Sequence, residues 1–140
     1  MLAKEVMSND PIIFSPDMTL KQAAEKMLEY DFGFIPVGEN DRLTGTITDR
    51  DIVIRGVAKG LDPNNTAIEE VMTRAILYCY EEDDIEKVGK MMGDLRVRRL
   101  VVLNADKRIT GIITLGDISS KCNDTNLAGQ ITTAVSQHEI

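Results

Sequence analysis

The chain carries, at residues 43–52, the stretch Leu43-Thr44-Gly45-Thr46-Ile47-Thr48-Asp49-Arg50-Asp51-Ile52, and at residues 109–118 it carries Ile109-Thr110-Gly111-Ile112-Ile113-Thr114-Leu115-Gly116-Asp117-Ile118. Six of the ten aligned pairs are identical. Further upstream, Glu5-Val6-Met7-Ser8 matches Glu70-Val71-Met72-Thr73 at an offset of 65 positions. Because the matches fall on Gly, Thr, Asp and Ile rather than on common helix formers, we interpret the chain as two copies of one unit.

Both copies show the same order of predicted elements. Short apolar runs predict first strands at 12–14 and 76–78, and hydrophobic spacing of i, i+3, i+4 and i+7 predicts an amphipathic helix after each. Thr19 with Gln22 predicts a capping box for the first of these helices, and Thr66 with Glu69 predicts one for a short helix opening the second copy. Further strands are predicted at 34–37, 43–48, 100–103 and 109–114. A closing helix starts at the Asp of each copy.

These elements predict an α/β protein of the α+β type, with two β-α-β-β-α repeats packed sheet to sheet in pseudo-twofold symmetry. A unit of about 60 residues is marginally stable alone, so the two copies need each other. Repeat 1 with its linker covers residues 1–65 and repeat 2 covers residues 66–121. The tail, residues 122–140, has an apolar stripe that predicts a final helix.

Composition excludes several classes of function. The 140 residues include 16 Lys and Arg against 23 Asp and Glu, for a formal net charge of −7, which argues against binding to nucleic acid or an anionic membrane. No apolar run approaches the ~20 residues of a membrane span, and the first five residues, which include an acid and no long apolar run, do not predict a signal peptide. Two widely spaced cysteines fit a reducing cytoplasm. No catalytic motif is present, and the lone His138 has no partner at metal-ligand spacing.

The repeated pattern resembles the CBS domain, named after cystathionine β-synthase, which in tandem forms the Bateman module. The resemblance rests on the Val-Met pair, the hydrophobic-Pro-Val strand and the Gly-x-Ile-Thr-x-x-Asp element, and it covers residues 2–121. It implies a regulatory protein that binds AMP, ADP, ATP or S-adenosylmethionine in clefts between repeats. It also implies a homodimer formed through helices, and a regulated partner that the sequence does not identify.

The resemblance assigns residues to two clefts. One cleft takes Thr114 and Asp117, with Arg98 and Arg99 for phosphate and Leu100 for an apolar wall. The segment carried over from the opposite repeat, which meets the adenine, supplies Ser8, Pro11 and Ile12 to this cleft. The other cleft takes Thr48 and Asp51 and draws on Thr73, Arg74 and Ile76. Either Arg50 or Arg74 would substitute there for the missing phosphate-binding arginines. Since Gly33 and Phe34 stand where the second copy has Arg98 and Arg99, the clefts are expected to differ.

Two alternatives remain open. A Thr-x-x-Asp element is also a helix capping box, and capping is compatible with ligand contact. At the level of function, the leading hypothesis is a stand-alone sensor of an adenine nucleotide with no catalytic residue, no cofactor and no metal. The alternative is an interaction or oligomerisation module without a physiological nucleotide, because fold does not establish ligand binding.

Overall fold

A computed structural model describes residues 1–122 and 125–136. It confirms the predicted mixture of helices and strands. The helices are α1 (Ala3–Val6), α2 (Leu20–Tyr30), α3 (Asp49–Asp51), α4 (Ile85–Leu95), α5 (Leu115–Lys121) and α6 (Thr125–Ser136). The strands are β1 (Ser8–Asn9), β2 (Phe34–Glu39), β3 (Arg42–Thr48), β4 (Tyr78–Tyr80), β5 (Arg99–Leu103) and β6 (Ile109–Thr114). A π-helical stretch, Ile52–Val57, continues α3, and a 3-10 turn occupies Ile68–Glu70.

The chain divides into two compact units. The continuous unit is Ile12–Ile76, and the split unit combines Met1–Pro11 with the chain from Leu77 onward. The opening segment of each repeat therefore packs within the unit formed by the rest of the other repeat. In the split unit, β1 pairs with β6, and in the continuous unit Thr73 bridges to Thr46 of β3.

The split unit contains a four-stranded sheet in the order β1-β6-β5-β4, in which only β4 and β5 run parallel. The first strand of the second copy was predicted at 76–78, but β4 begins at Tyr78. Ile76 is 46% exposed and belongs to the continuous unit, so the chain enters the sheet two residues later. Central β5 is buried on both faces, as its aliphatic sequence requires.

The continuous unit contains the antiparallel β2–β3 hairpin. The strand predicted at 12–14 is wrong, because only Phe14 bridges to Val37 of β2. The Phe14 amide donates to the Pro36 carbonyl at 3.0 Å, and the Phe14 carbonyl accepts from the Gly38 amide at 3.0 Å. Pro11 and Pro16 lack an amide hydrogen, which keeps this segment from extending into a longer ladder.

Local capping signals define both amphipathic helices. Thr19 and Gln22 form the predicted reciprocal box at α2, with distances of 3.0 and 3.1 Å, and Asp84 caps α4 by accepting from the Glu86 amide at 2.9 Å. Both helices end on a left-handed residue, Asp31 at φ 57° and Arg96 at φ 58°.

The box predicted at Thr66 and Glu69 is wrong by one position. Glu70 accepts from the Ala67 amide at 3.1 Å, and the 3-10 turn follows Ala67. Thr66 is buried, and its carbonyl accepts from the Leu20 amide at 2.9 Å, which fixes it before the turn starts.

Helix α6 packs on α4 and α5 of the split unit. Gly89 and Gly93 of α4 allow the close approach: a Cβ on Gly89 would lie 2.7 Å from Ile131 Cδ1, and one on Gly93 would lie 3.0 Å from Ala134 Cβ. Within residues 1–122 and 125–136, no helix combines the length and apolar content that crossing a bilayer requires.

Candidate ligand-binding sites

Each Thr-x-x-Asp element forms a turn at the end of a β-hairpin. At Thr48 the hydroxyl accepts from the Asp51 amide at 3.0 Å, and Asp51 Oδ2 accepts from the Thr48 amide at 2.9 Å. Thr114 and Asp117 make the same two bonds at 3.0 Å each. The capping interpretation is therefore correct for both turns. It occupies one carboxylate oxygen of each Asp and leaves Oδ1 to other partners.

A basic side chain four residues further on approaches Oδ1 in both units, and it was not among the predicted site residues. In the Asp51 site (Thr48, Asp51, Arg55, Val71 and Thr73), Arg55 Nη2 lies 2.6 Å from Asp51 Oδ1 and 3.1 Å from Thr73 Oγ1. Arg55 Nε also donates to the Val71 carbonyl at 2.8 Å. The Asp51 side chain is only 10% exposed.

The Asp117 site (Val6, Ser8, Thr114, Asp117 and Lys121) has the same plan with a different cation. Lys121 Nζ donates to the Val6 carbonyl at 2.9 Å, but it lies 3.8 Å from Asp117 Oδ1, beyond hydrogen-bonding distance. The Asp117 side chain is 19% exposed. Val6 and Val71 are equivalent positions of the repeat, so each cation reaches a carbonyl of the segment contributed by the other repeat.

The structure also distributes the predicted residues between the units. Ser8 and Pro11 belong to the same unit as Arg98, Arg99, Leu100, Thr114 and Asp117, and Thr73, Arg74 and Ile76 belong to the same unit as Thr48, Arg50 and Asp51. Ile12 is the exception, since it lies in the continuous unit and packs against that core. Leu100 has no exposed surface and packs in the core of the split unit, so its side chain does not form the exposed apolar wall that was predicted.

The backbone of Arg98 and Arg99 lies next to the turn that contains Asp117. Arg99 is the register partner of Thr114, and the Arg98 carbonyl accepts from the Leu115 amide at 2.9 Å. Both side chains belong to exposed residues. Guanidinium groups bind phosphate oxygens in a bidentate fashion, which matches the role predicted for this pair.

The corresponding position of the continuous unit is acidic. The Gly33 carbonyl accepts from the Asp49 amide at 3.1 Å, and a Cβ on Gly33 would lie 2.8 Å from Asp49 Oδ2. The Asp49 carboxylate therefore covers the place that matches Arg98. Arg74, which was predicted as a phosphate ligand, donates from Nη2 to the Glu69 carbonyl at 2.9 Å. Arg50 is exposed and contributes its amide to Asp49 Oδ1 at 2.8 Å.

Helix α5 has seven residues and α3 three before the π-helical stretch. A separate groove between α4 and α6, lined by Glu86, Lys90, Asn126 and Gln130 among others, contains none of the predicted site residues. Among residues 1–122 and 125–136, no three His, Cys, Asp or Glu side chains are grouped to hold a metal ion. His138 lies outside the described residues.

Comparison with known proteins identifies the family. The CBS domain model matches residues 3–56 and 68–124. Hypoxic response protein 1 of Mycobacterium tuberculosis is 38% identical over 118 residues, covering 84% of this chain and 82% of its own length. The CBS domain-containing protein YhcV of Bacillus subtilis is 31% identical and covers 98% of this chain and 96% of itself.

Solved structures with a similar fold support the same family. The crystal structure of Hypoxic Response Protein I, with two coordinated zinc ions, superposes with a TM-score of 0.79 at 36% identity, covering 86% of this chain and 98% of that one. The CBS domain pair of protein MJ0100, in complex with 5′-methylthioadenosine and S-adenosyl-L-methionine, gives a TM-score of 0.75 at 27% identity, covering 88% and 96%. With both repeats matched by the family model, the chain belongs to the CBS domain family as a tandem pair.

Proposed function

We propose that this chain is a regulatory module that senses an adenine nucleotide or a related adenosyl ligand and passes its occupancy on to a partner protein. The observation that carries the proposal is the hydrogen bond from Lys121 to the Val6 carbonyl, which ties the segment entering β1 to the helix that bears Asp117. A ligand held there touches residues from both repeats. The MJ0100 pair, which binds 5′-methylthioadenosine and S-adenosyl-L-methionine, supports this ligand class.

The Asp117 site offers complementary groups for each part of such a ligand. Asp117 Oδ1 accepts from a ribose hydroxyl, and the Thr114 hydroxyl, which already accepts from the Asp117 amide, donates its own hydrogen to a phosphate oxygen. Arg98 and Arg99 bind the phosphate. The backbone of Ser8 to Pro11 contacts the adenine edge. Thr48, Arg50, Thr73, Arg74 and Ile76 belong to the unit that carries the equivalent Asp51 site.

Occupancy acts by shifting a conformational equilibrium, since a ligand favours whichever state binds it more tightly. We expect the chain to work as a cytoplasmic homodimer that regulates another protein and catalyses no reaction. Its identified relatives include stand-alone CBS proteins of similar length.

Calorimetric titration with AMP, ADP, ATP and S-adenosylmethionine tests the proposal. Saturable heat is expected for at least one of them, together with a rise in melting temperature, because a ligand at 100 times its Kd stabilises the folded state by about 2.7 kcal/mol. Absence of heat and an unchanged melting temperature at millimolar concentrations of all four would exclude the nucleotide function.

Substitution of Asp117 locates the ligand. Asp117→Ala is expected to abolish binding, whereas Asp106→Ala, which removes a carboxylate from an exposed turn of the same unit, is expected to bind like the wild type. Arg99→Ala is expected to weaken the binding of AMP much more than that of adenosine, because adenosine has no phosphate for Arg99 to contact. Equal binding by wild type and Asp117→Ala would show that the site assignment is wrong.

An interaction or oligomerisation module is the second candidate, and the continuous unit carries the observation that favours it. Leu28 on α2 and Val57 on the π-helical stretch are 84% and 61% exposed, and Val53 and Ile54 are about half exposed. Helix α6 packs on the corresponding helix pair of the split unit. Sedimentation of Val57→Asp is expected to show loss of the dimer, with Leu95→Asp, an exposed leucine of the split unit, as control. A dimer unaffected by Val57→Asp would exclude this surface.

A further inference from the structure

Arg55 and Lys121 occupy the same repeat position, four residues after the Asp of each site, and both reach the matching valine carbonyl. Their side chains differ in one respect that matters for a ligand. Arg55 makes three hydrogen bonds within its site, and Lys121 makes one. Building on the proposed function, we infer that Arg55 keeps the Asp51 site closed to a ribose-containing ligand, so that the Asp117 site alone takes it.

The Asp51 site is closed because Arg55 uses the groups that a ribose needs. Nη2 binds Asp51 Oδ1 at 2.6 Å, and Asp51 Oδ2 is committed to the Thr48 amide. A ribose diol must therefore displace the guanidinium from a carboxylate that is 10% exposed. Charge-assisted bonds in such a poorly hydrated place are among the strongest hydrogen bonds in proteins. The planar fork of Arg55 also engages Thr73 Oγ1 and the Val71 carbonyl, so its displacement breaks three bonds together.

The Asp117 site is open because Lys121 is held elsewhere. Its ammonium group donates to the Val6 carbonyl and lies 3.8 Å from Asp117 Oδ1, where it contributes positive charge without occupying that oxygen. The Lys121 side chain is 46% exposed, close to the 41% of Arg55, but it has only one hydrogen bond to break and therefore moves aside at smaller cost. Ser8 occupies the repeat position that Thr73 occupies in the Asp51 site.

The charges around the two sites also favour ligand binding at the Asp117 site, independently of the hydrogen bonds of Arg55 and Lys121. In the continuous unit the Asp49 carboxylate lies against Gly33. In the split unit the positions that match Gly33 and Phe34 are occupied by Arg98 and Arg99. A phosphate-bearing ligand is repelled by the first arrangement and attracted by the second. Geometry and charge thus both assign the ligand to the Asp117 site.

Exchange of the two cations tests the inference, with AMP and adenosine as probes in calorimetry. The wild type is expected to bind one AMP per chain. Lys121→Arg is expected to weaken AMP at least tenfold, because the new guanidinium reaches Asp117 Oδ1. Arg55→Lys is expected to add a second binding event for adenosine, which lacks the phosphate that Asp49 repels, and that event is expected to disappear in Arg55→Lys with Asp51→Ala.

The control for these variants is Lys87→Arg, which makes the same substitution in another i, i+4 pair, with Asp83 at 3.2 Å. It is expected to bind AMP like the wild type. Two AMP per wild-type chain, unchanged affinity in Lys121→Arg, or no second event in Arg55→Lys would each overturn the inference. A wild type that binds no nucleotide contradicts the proposed function instead.

A measurement without ligand keeps the closed site testable in that case. In a nitrogen-15 NMR spectrum of the ligand-free protein, the Arg55 Nε–H is expected to exchange slowly with water, because it donates to the Val71 carbonyl. The signal is expected to shift in Asp51→Asn and to stay in place in Lys121→Arg. Exchange as fast as that of an exposed arginine would overturn the closure of the site.

Discussion

Arg55 and Lys121 show how one side chain changes the energetics of a repeated site. The carboxylate of Asp51 is nearly buried, so removal of Arg55 leaves it without its main charged partner, whereas Asp117 is more exposed and Lys121 lies outside hydrogen-bonding distance. Arg55→Ala is expected to lower the free energy of unfolding by about 2 kcal/mol, a value reduced for the partial exposure of Arg55. Lys121→Ala is expected to lower it by less than about 1 kcal/mol.

Urea denaturation of both variants measures this difference. The comparison is internal, since each variant removes the cation at the same repeat position. Equal losses in the two variants would contradict the description of the Asp51 site as the more tightly bonded one.

The two cysteines differ in burial, which predicts different reactivity. Burial raises the pKa of the Cys79 thiol to about 12, with the Asp83 carboxylate adding to the effect. At pH 8 only about one Cys79 side chain in ten thousand is then a thiolate, and the thiolate is the reactive form. Iodoacetamide at pH 8 is expected to modify the half-buried Cys122 first and to reach Cys79 only after denaturation.

Mass spectrometry of the alkylated protein checks the order, with Cys122→Ser as the control that stays unmodified. The raised pKa of Cys79 also makes the free energy of unfolding depend on pH. The protonated thiol favours the folded state, fully below about pH 9 and progressively less as the pH rises towards 12. Modification of native Cys79 at the rate of Cys122 would contradict its burial.

Part of the site was predictable at the level of single residues. The turns at Asp51 and Asp117 were visible because capping residues act locally, on amides three positions away. Arg55 and Lys121 were missed, although a basic residue four positions after Asp in both copies was a readable signal. The contact of Asp49 with Gly33 depends on how β2 meets the start of α3, and no local pattern announces it.

At the scale of elements, helix α4 contains glycines that lower its helix propensity but allow α6 to pack closely against it. Glycine in a helix costs about 1 kcal/mol relative to alanine, yet α4 has Gly89 against Ile131. Gly89→Ala is expected to destabilise the protein by about 1–2 kcal/mol despite its better helix propensity, because the new Cβ would lie 2.7 Å from Ile131 Cδ1.

A double-mutant cycle measures this contact by urea denaturation. Ile131→Val removes the clashing Cδ1, so the double variant is expected to lose less stability than the sum of the single variants. Gly129→Ala is the control, since nothing lies within 4 Å of its Cβ position and it is expected to be neutral or stabilising. Additive losses would show that α6 does not depend on Gly89.

Helix α4 also ends on a strained residue. Arg96 adopts a left-handed conformation at φ 58°, which costs a non-glycine residue about 1 kcal/mol. Arg96→Gly is expected to raise the free energy of unfolding by about 0.5 kcal/mol once the greater flexibility of unfolded glycine is included. Arg96→Ala, which keeps the strain, is expected to give no gain, and thermal denaturation separates the two. Equal stability of the two variants would contradict the role of the left-handed cap.

Helices and hairpins were easier to predict than the opening strands. Apolar periodicity and caps located α2 and α4 because both signals lie within about twelve residues. The strand predicted at 12–14 failed because its pairing depends on a single residue, Phe14, between two prolines. The one-residue error at Thr66 arose because Thr66 is buried and the turn forms without a side-chain cap, held by the bond from the Ala67 amide to the Glu70 carboxylate.

At the scale of the whole molecule, the repeat is the basis of the function we propose. Each compact unit combines the opening segment of one repeat with the body of the other, so a site in either unit depends on both copies. Sequence periodicity identified the copies, but the exchange of opening segments is a long-range feature without a local signal. The two copies carry the same Thr-x-x-Asp turn and differ at the basic residue four positions later, Arg55 in one and Lys121 in the other.

The most direct test of this account is a map of amide chemical shifts during titration of the nitrogen-15 labelled protein with AMP. We expect saturable shifts at Ser8, Arg99, Leu115 and Asp117, and no comparable shifts at Thr48 to Asp51. That result would place the ligand in the Asp117 site and leave the Arg55-closed site empty. Saturable shifts confined to residues outside the split unit, or none at millimolar AMP, would contradict it.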